Sequence, residues 1–181
     1  MKAVCASGSL LIAGKPAVAF TFDLTPDVIE RAKGHPAGFL DSLKRSFDKE
    51  LKRAGIDLPY WFVIDVTKDG RLHIHGACLP PAYTQRGLRK LRTVMKAASG
   101  TWETPGKRKQ LHFQKLYSTG WVDYSMVDQR KVEKIIGTRT FTVTQPLGRE
   151  TKWFYDEVRP IMRGNLTQLS GCSATREPLL S

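Results

Sequence analysis

Two of the four histidines in this 181-residue chain, His73 and His75, are separated only by the apolar Ile74. Residues two apart on a β-strand point to the same face of the sheet, so both imidazoles can reach one ion. Asp65 precedes His73 by eight residues, in the segment expected to pair with the histidine strand. Imidazole and carboxylate ligands that converge on one point are typical of a divalent-metal site. The candidate metal ligands are therefore His73, His75 and Asp65.

The turn between the two strands decides whether Asp65 faces the histidines. The segments Tyr60–Thr67 and Arg71–Leu79 are rich in strand-forming residues and flank Lys68-Asp69-Gly70, a strong hairpin signal. A two-residue turn would pair position 66 with His73 and leave Asp65 on the opposite face. A three-residue loop or a bulge would pair Asp65 with His73 and place all three ligands on one face. The sequence leaves both turns open.

The charge balance points to a polyanionic partner. Lys and Arg number 29 against 17 Asp and Glu, which gives a net charge of +12 and a pI of about 9.8. Such an excess favours nucleic acid through counterion release and long-range attraction. No apolar run reaches the roughly 20 residues that a membrane-spanning helix needs, so we expect no membrane partner. The three scattered cysteines, Cys5, Cys78 and Cys172, argue against a disulfide framework and for a cytoplasmic location.

Hydrophobic patterning predicts an α+β fold in which helices flank a central antiparallel sheet that carries the histidine strand. We predict one domain over residues 1–164, with its core at about 17–160, a flexible leader at Met1–Gly14, and a disordered tail at 165–181. Strands beyond the hairpin are predicted at Ala17–Leu24, Leu111–Tyr117 and Phe141–Thr144. Helices are predicted at Ala37–Ala54, Thr84–Ala98, Gly120–Gln129 and Arg149–Arg159, the last ended by Pro160.

Clustered cations on the predicted helices and on one loop could follow a phosphate backbone. The candidate DNA-binding residues are Arg86, Arg89, Lys90, Lys107, Arg108, Lys109 and Lys131. Three aromatic residues, Trp102, Phe113 and Trp121, could stack on the bases of an unpaired strand.

These motifs together resemble the HUH endonuclease superfamily, and specifically the rolling-circle replication initiators of plasmids and small phages. The first motif of that family is an apolar strand similar to Phe20–Thr25, and its second, histidine-hydrophobic-histidine, is matched by His73-Ile74-His75. A carboxylate precedes the second motif through a turn like that of Asp65–Gly70, with Asp in place of the more usual Glu. The resemblance runs from about residue 17 to 135 and implies an HUH-type sheet with a layout like ferredoxin or RRM domains.

The third motif of the family is a helical tyrosine, usually followed by lysine three positions later. Tyr124 is the best match and would be the nucleophile, but position 127 is valine. Some related single-strand transposases supply a metal ligand four residues after the tyrosine, so Asp128 is an alternative to Asp65. Tyr117 and Tyr155 are fallback nucleophiles.

The resemblance implies an enzyme that nicks and joins single-stranded DNA, using Mg²⁺ or Mn²⁺ and a covalent tyrosine 5′-phosphodiester to initiate rolling-circle replication. The implied partners are single-stranded DNA or an origin hairpin, together with a host helicase and polymerase, since the sequence holds no nucleotide-binding P-loop. Two other functions stay open. One is a relaxase or transposase of the same superfamily, although a relaxase would place its tyrosine near the N-terminus and the first tyrosine here is Tyr60. The other is a catalytically silent DNA-binding module, which the valine at position 127 favours.

Overall fold

The computed structural model describes residues 1–102 and 110–162, apart from the side chains of 160–162. The predicted charge run at 107–109 and the predicted tail at 165–181 therefore lie outside the described residues. The strands are β1 (Val18–Asp23), β2 (Tyr60–Val66), β3 (Leu72–Cys78), β4 (Leu111–Lys115) and β5 (Phe141–Val143). The helices are α1 (Lys2–Leu11), α2 (Pro26–Lys33), α3 (Phe39–Arg53), α4 (Gln85–Ser99), α5 (Gly120–Ser125), α6 (Gln129–Ile136) and α7 (Gln145–Met162).

The five strands form one antiparallel sheet in the order β4-β1-β3-β2-β5. The histidine strand β3 is in the centre and is hydrogen-bonded to β1 on one side and β2 on the other. This confirms the predicted α+β fold with a central antiparallel sheet flanked by helices. A central strand has both backbone edges paired, so side chains on β3 have a rigid support.

One face of the sheet packs against α3 and α4. The apolar residues of α3 recur every four positions, and Phe47 lies with its ring centroid 5.2 Å from that of Phe22 and 5.3 Å from that of Phe62. Leu91 of α4 joins the same buried cluster, as does Ile74 of β3. Because Ile74 points to this face, His73 and His75 must point to the other.

The opposite face changes from apolar to polar along the strands. At one end, Ala19, Trp61 and Ala77 are buried in a cluster that includes residues of α1, α5 and α7. Toward the other end, each of the three central strands ends this face in a polar residue: Asp23, His73 and Asp65. The polar end is where the candidate ligands meet.

The prediction that Met1–Gly14 is a flexible leader is wrong, because Lys2–Leu11 forms α1. Its buried residues are small except for Leu10, and α1 packs along α7. A Cβ on Gly8 would come within 3.0 Å of the Phe154 ring, so glycine permits this close approach. Small side chains on most sides of a helix give a weak periodic signal, and here the stability comes from the partner helix.

Two other helix predictions need correction. The single helix predicted at Gly120–Gln129 is instead α5, ending at Ser125, and α6, starting at Gln129. The last helix starts earlier than predicted, at Gln145, and continues through Pro160 to Met162. No helix among the described residues is both long and apolar enough to cross a membrane.

Candidate metal centre

The β2–β3 hairpin has the three-residue loop that places Asp65 beside the histidines. The Thr67 N–H donates to the Arg71 carbonyl at 2.9 Å, and the Cα of Asp65 lies opposite that of His73. Gly70 closes the loop at φ +83°, a conformation that glycine adopts without penalty. Of the two turns that the sequence allowed, the structure therefore has the three-residue loop.

Hydrogen bonds within the loop fix its shape. The Asp69 carboxylate accepts from the Arg71 Nε–H at 2.7 Å and from the Thr67 hydroxyl. These two hydrogen bonds, of which the one from Thr67 has the larger effect, lower the pKa of Asp69 to about 2. Arg71 also approaches Asp23 of β1, with 3.6 Å between Nη1 and Oδ2. The loop is thus tied to itself and to the neighbouring strand.

Asp65, His73 and His75 are all buried, and one ligand atom of each lies within 4.8 Å of the others. The two Nε2 atoms of the histidines are 2.8 Å apart. Asp65 Oδ2 lies 3.6 Å from His73 Nε2 and 3.5 Å from His75 Nε2. Two ligand atoms that each lie about 2.1 Å from an ion are about 3 Å apart at a right angle. The three residues could therefore hold one metal ion.

Surrounding groups orient two of the three ligands. The Val66 N–H donates to Asp65 Oδ1 at 2.8 Å, which leaves Oδ2 facing the imidazoles. On the other side, His75 Nδ1 lies 2.8 Å from Thr21 Oγ1. If His75 Nε2 uses its lone pair for a metal, Nδ1 carries the proton and donates to the threonine hydroxyl. Such outer contacts fix the tautomer and ring orientation of a metal-binding histidine.

The pKa values of Asp65 and His73 favour the forms that bind metal. Burial raises the pKa of Asp65, but hydrogen bonds to His75 and to the Val66 N–H outweigh it and hold the pKa below the ordinary aspartate value. Burial and the neighbouring His75 ring lower the pKa of His73. At neutral pH the carboxylate is ionised and the His73 imidazole is neutral, as ligation requires.

Tyr124 and Trp121 of α5 lie beside His75, one member of the metal-ligand cluster. The His75 ring meets both edge-on, with centroids 5.4 Å from Trp121 and 5.3 Å from Tyr124. The two aromatic rings are stacked at 5.4 Å, and the Trp121 Nε1–H donates to the Gly76 carbonyl at 2.9 Å. Tyr124 remains 63% exposed. A tyrosine that is open to solvent therefore lies directly beside a candidate metal ligand.

The other predicted site residues that the structure describes lie on other elements. Asp128 is the N-cap residue of α6 and, among the described residues, the close metal-ligand group does not include it. Lys131 is exposed on the first turn of α6, while Tyr117 follows β4 and Tyr155 lies on α7. Arg86, Arg89 and Lys90 are exposed on α4. The structure thus brings together Asp65, His73, His75 and Tyr124, and it leaves Asp128 out of the metal-ligand group.

Two residues at the site were not assigned these roles from sequence. Thr21 lies in the apolar strand motif, but only the pairing of β1 with β3 shows that it faces His75. Trp121 was expected to stack on bases, and the structure adds that its indole stacks on Tyr124 and is hydrogen-bonded to the backbone of the histidine strand. Both roles depend on register and helix placement, which single-sequence patterns do not specify.

No known family model, curated protein or solved structure matches this chain. Arguments about function therefore rest on the geometry and chemistry of the site.

Proposed function

We propose that this chain is a metal-dependent endonuclease and strand transferase for single-stranded DNA, of the HUH type, which initiates rolling-circle replication. One observation carries the proposal: the exposed Tyr124 ring lies 5.3 Å from His75 of a buried Asp-His-His cluster. A phenol is a weak nucleophile and needs an activated electrophile. Its placement beside candidate ligands for a Lewis acid is the arrangement that such a reaction requires.

The proposed cofactor is Mg²⁺ or Mn²⁺, held by Asp65, His73 and His75. Three protein ligands leave coordination positions open, and a mixed carboxylate and imidazole set with a phosphate substrate suits these ions. When bound, the ion would act as a Lewis acid on the scissile phosphate.

Tyr124 carries the covalent step. Its phenolic oxygen forms a bond to phosphorus, and the bond from phosphorus to the 3′-oxygen breaks. The electron pair of the broken bond goes to the 3′-oxygen. The phenol loses its proton to solvent, and the 3′-oxygen takes up one proton from solvent. The products are a 5′-phosphotyrosine link and a free 3′-hydroxyl. The reverse attack of a 3′-hydroxyl restores the phosphodiester without ATP, which supports joining as well as nicking.

The remaining geometry supports these roles. Trp121 stacks against Tyr124 and is anchored to Gly76, so it limits the positions that the phenol can occupy relative to His75. Stacked aromatic side chains also offer a surface for unpaired bases, which supports a single-stranded substrate. A free 3′-hydroxyl is a primer, so one proposed partner is a host polymerase. The other is a host helicase, since the sequence holds no nucleotide-binding P-loop for unwinding.

The test is incubation with a 5′- or 3′-labelled single-stranded oligonucleotide library and Mn²⁺, followed by a denaturing gel. The proposal predicts a labelled band that migrates with the protein, carries only the DNA on the 3′ side of the nick, and disappears with EDTA. Binding of the library without any covalent band, with Mn²⁺ shown to be bound, would instead identify a catalytically silent DNA-binding module.

A further inference from the structure

Arg71 precedes the histidine strand β3 and lies on the same face of the sheet as the candidate metal ligands. It comes two residues before His73, and alternation along a strand points such residues to one side. The position of the guanidinium agrees with this, because Nη1 lies 3.6 Å from Oδ2 of Asp23. Asp23 is the residue of β1 that pairs with His73. A cation therefore lies next to the metal-ligand cluster, on its His73 side.

The fold holds this guanidinium in place without using all of its donors. Asp69 Oδ2 accepts a hydrogen bond from Nε at 2.7 Å, and Asp23 forms an ion pair at a longer distance. A guanidinium has five N–H groups, and in Arg71 only the Nε–H forms a hydrogen bond within residues 1–102 and 110–162. The side chain is 46% exposed. The Nη groups are thus available to a ligand.

Closure of the β2–β3 loop does not depend on these Nη groups. The Thr67 N–H donates to the Arg71 carbonyl at 2.9 Å, and the Arg71 N–H donates to the Thr67 hydroxyl at 3.0 Å. Both hydrogen bonds use the backbone of residue 71, so any residue except proline could form them. Loop closure therefore does not explain why a guanidinium with free donors is held beside His73.

Arg71 and Tyr124 lie at opposite ends of the metal-ligand cluster. Tyr124 contacts the His75 ring, and its neighbour Trp121 is hydrogen-bonded to the carbonyl of the next strand residue, so both lie toward the C-terminal end of β3. Arg71 lies beyond His73, toward the N-terminal end. The Cα atoms of Arg71 and His75 are about 13 Å apart at the usual rise of a strand. The two histidines therefore lie between the proposed nucleophile and the guanidinium.

This order matches the geometry of a displacement at phosphorus. The attacking and leaving oxygens lie roughly in line, on opposite sides of the phosphorus atom. When the Tyr124 oxygen attacks from the His75 side, the leaving 3′-oxygen is directed toward Arg71. Negative charge develops on that oxygen as its bond breaks, and N–H donors that are already held in position stabilise such charge.

We infer that Arg71 is a further catalytic residue, whose guanidinium donates a hydrogen bond to the leaving 3′-oxygen. The inference rests on the proposed function, since it assigns a residue to the same reaction. The bond from the Tyr124 oxygen to phosphorus forms, the bond from phosphorus to the 3′-oxygen breaks, and the electron pair stays on the 3′-oxygen. Arg71 remains protonated throughout, and the 3′-oxygen takes up its proton from solvent. Asp69 and Asp23 hold the donors toward the cluster.

The test compares two oligonucleotides that differ in one atom. Both carry the sequence that the wild-type protein cleaves, and in one of them sulfur replaces the leaving 3′-oxygen. A thiol has a pKa of about 8.5 and water, which resembles an alcohol, about 15.7, so a sulfur leaving group needs much less stabilisation. In single-turnover reactions with Mn²⁺, Arg71→Gln should form the adduct about 100- to 1,000-fold more slowly with the oxygen substrate. With the sulfur substrate the loss should be at least about tenfold smaller.

Two further variants serve as controls. Lys68→Gln removes the same charge from an exposed position of the same loop and should react like the wild type with both substrates. Arg71→Lys keeps the charge but loses the planar arrangement of donors, so its rate should lie between those of Arg71→Gln and the wild type. Binding of the oligonucleotide to Arg71→Gln in EDTA should be nearly unchanged, because the contact to the leaving oxygen strengthens only in the transition state.

The decisive comparison is between two substrates on one variant, so damage to the loop or to the metal centre lowers both rates alike. Equal losses on the two substrates would overturn the inference, as would a normal rate in Arg71→Gln or the same loss in Lys68→Gln. These results leave the proposed function intact, because the wild-type adduct still forms. A wild-type protein that forms no adduct with any oligonucleotide would instead overturn the proposed function, and the inference with it.

Discussion

Asp65 and His73 face each other across the β2–β3 ladder, and Asp65 Oδ2 lies 3.6 Å from His73 Nε2. This pairing brings a carboxylate from one strand to two imidazoles on the next. The paired strands of the sheet hold the three candidate ligands in fixed positions relative to one another.

The first prediction concerns metal binding. His73→Ala, His75→Ala and Asp65→Ala should each lower Mn²⁺ affinity below detection in a calorimetric titration, since too few ligands would remain to hold a weakly bound hard cation. Asp128→Ala is the matched control, because Asp128 lies at the start of α6, outside the ligand group. Loss of binding in Asp128→Ala with retention in Asp65→Ala would reverse the assignment of the third ligand.

The second prediction concerns the hydroxyl of Thr21. Thr21→Val keeps the shape of the side chain and removes the partner of His75 Nδ1. Mn²⁺ affinity should fall about 10- to 100-fold, which is the usual effect of losing an outer partner of a metal-binding histidine. Thr142→Val, on β5, is the control for a threonine-to-valine change in the same sheet and should bind Mn²⁺ normally. Equal affinities for the two variants would show that Thr21 does not orient the ring.

The third prediction concerns the loop that sets the register. Gly70→Ala should lower the free energy of unfolding by about 1–2 kcal/mol in a urea titration, because the residue has φ +83°. Space is not the reason, since nothing lies within 4 Å of a Cβ at this position. Gly34→Ala is the matched control: Gly34 has φ −80°, so alanine there should be neutral or stabilise by up to about 1 kcal/mol. Equal effects at both glycines would contradict the account of the loop.

The fourth prediction concerns pH. The pKa of His73 is lowered by burial and by His75, so the unfolded chain takes up a proton at higher pH than the folded one. The metal-free protein should therefore lose stability as the pH falls below the ordinary histidine value of about 6.5. Urea titrations in EDTA at pH 7.5 and 5.5 measure this loss. His73→Gln should reduce it, and an equal loss with and without this substitution would contradict the assignment.

The sequence predicted the parts of the site that depend on local pattern. Alternation in β3 placed His73 and His75 on one face, and Lys68-Asp69-Gly70 indicated a hairpin. The choice of a three-residue loop was not predictable, because it depends on hydrogen bonds among Thr67, Asp69 and Arg71 that form only in the closed turn.

Long-range contacts explain the features that the sequence did not predict. The break between α5 and α6 lies where the Gln129 side chain contacts the Ile64 carbonyl at 3.4 Å and accepts a hydrogen bond from the Thr140 hydroxyl. Neither contact leaves a periodic signal in the segment itself. Asp128 was expected to share the helix of Tyr124, and the break removes that relationship.

The most direct test of the central claim is to identify the residue that becomes linked to DNA. After reaction with Mn²⁺ and an oligonucleotide that is cleaved, protease digestion and mass spectrometry should find the 5′-phosphate on Tyr124. Tyr124→Phe should abolish the adduct with oligonucleotide binding nearly unchanged, because only the attacking oxygen is lost, while Tyr117→Phe and Tyr155→Phe should react normally. An adduct that persists in Tyr124→Phe, or that maps to Tyr117 or Tyr155, would contradict the assignment of the nucleophile to the tyrosine beside His75.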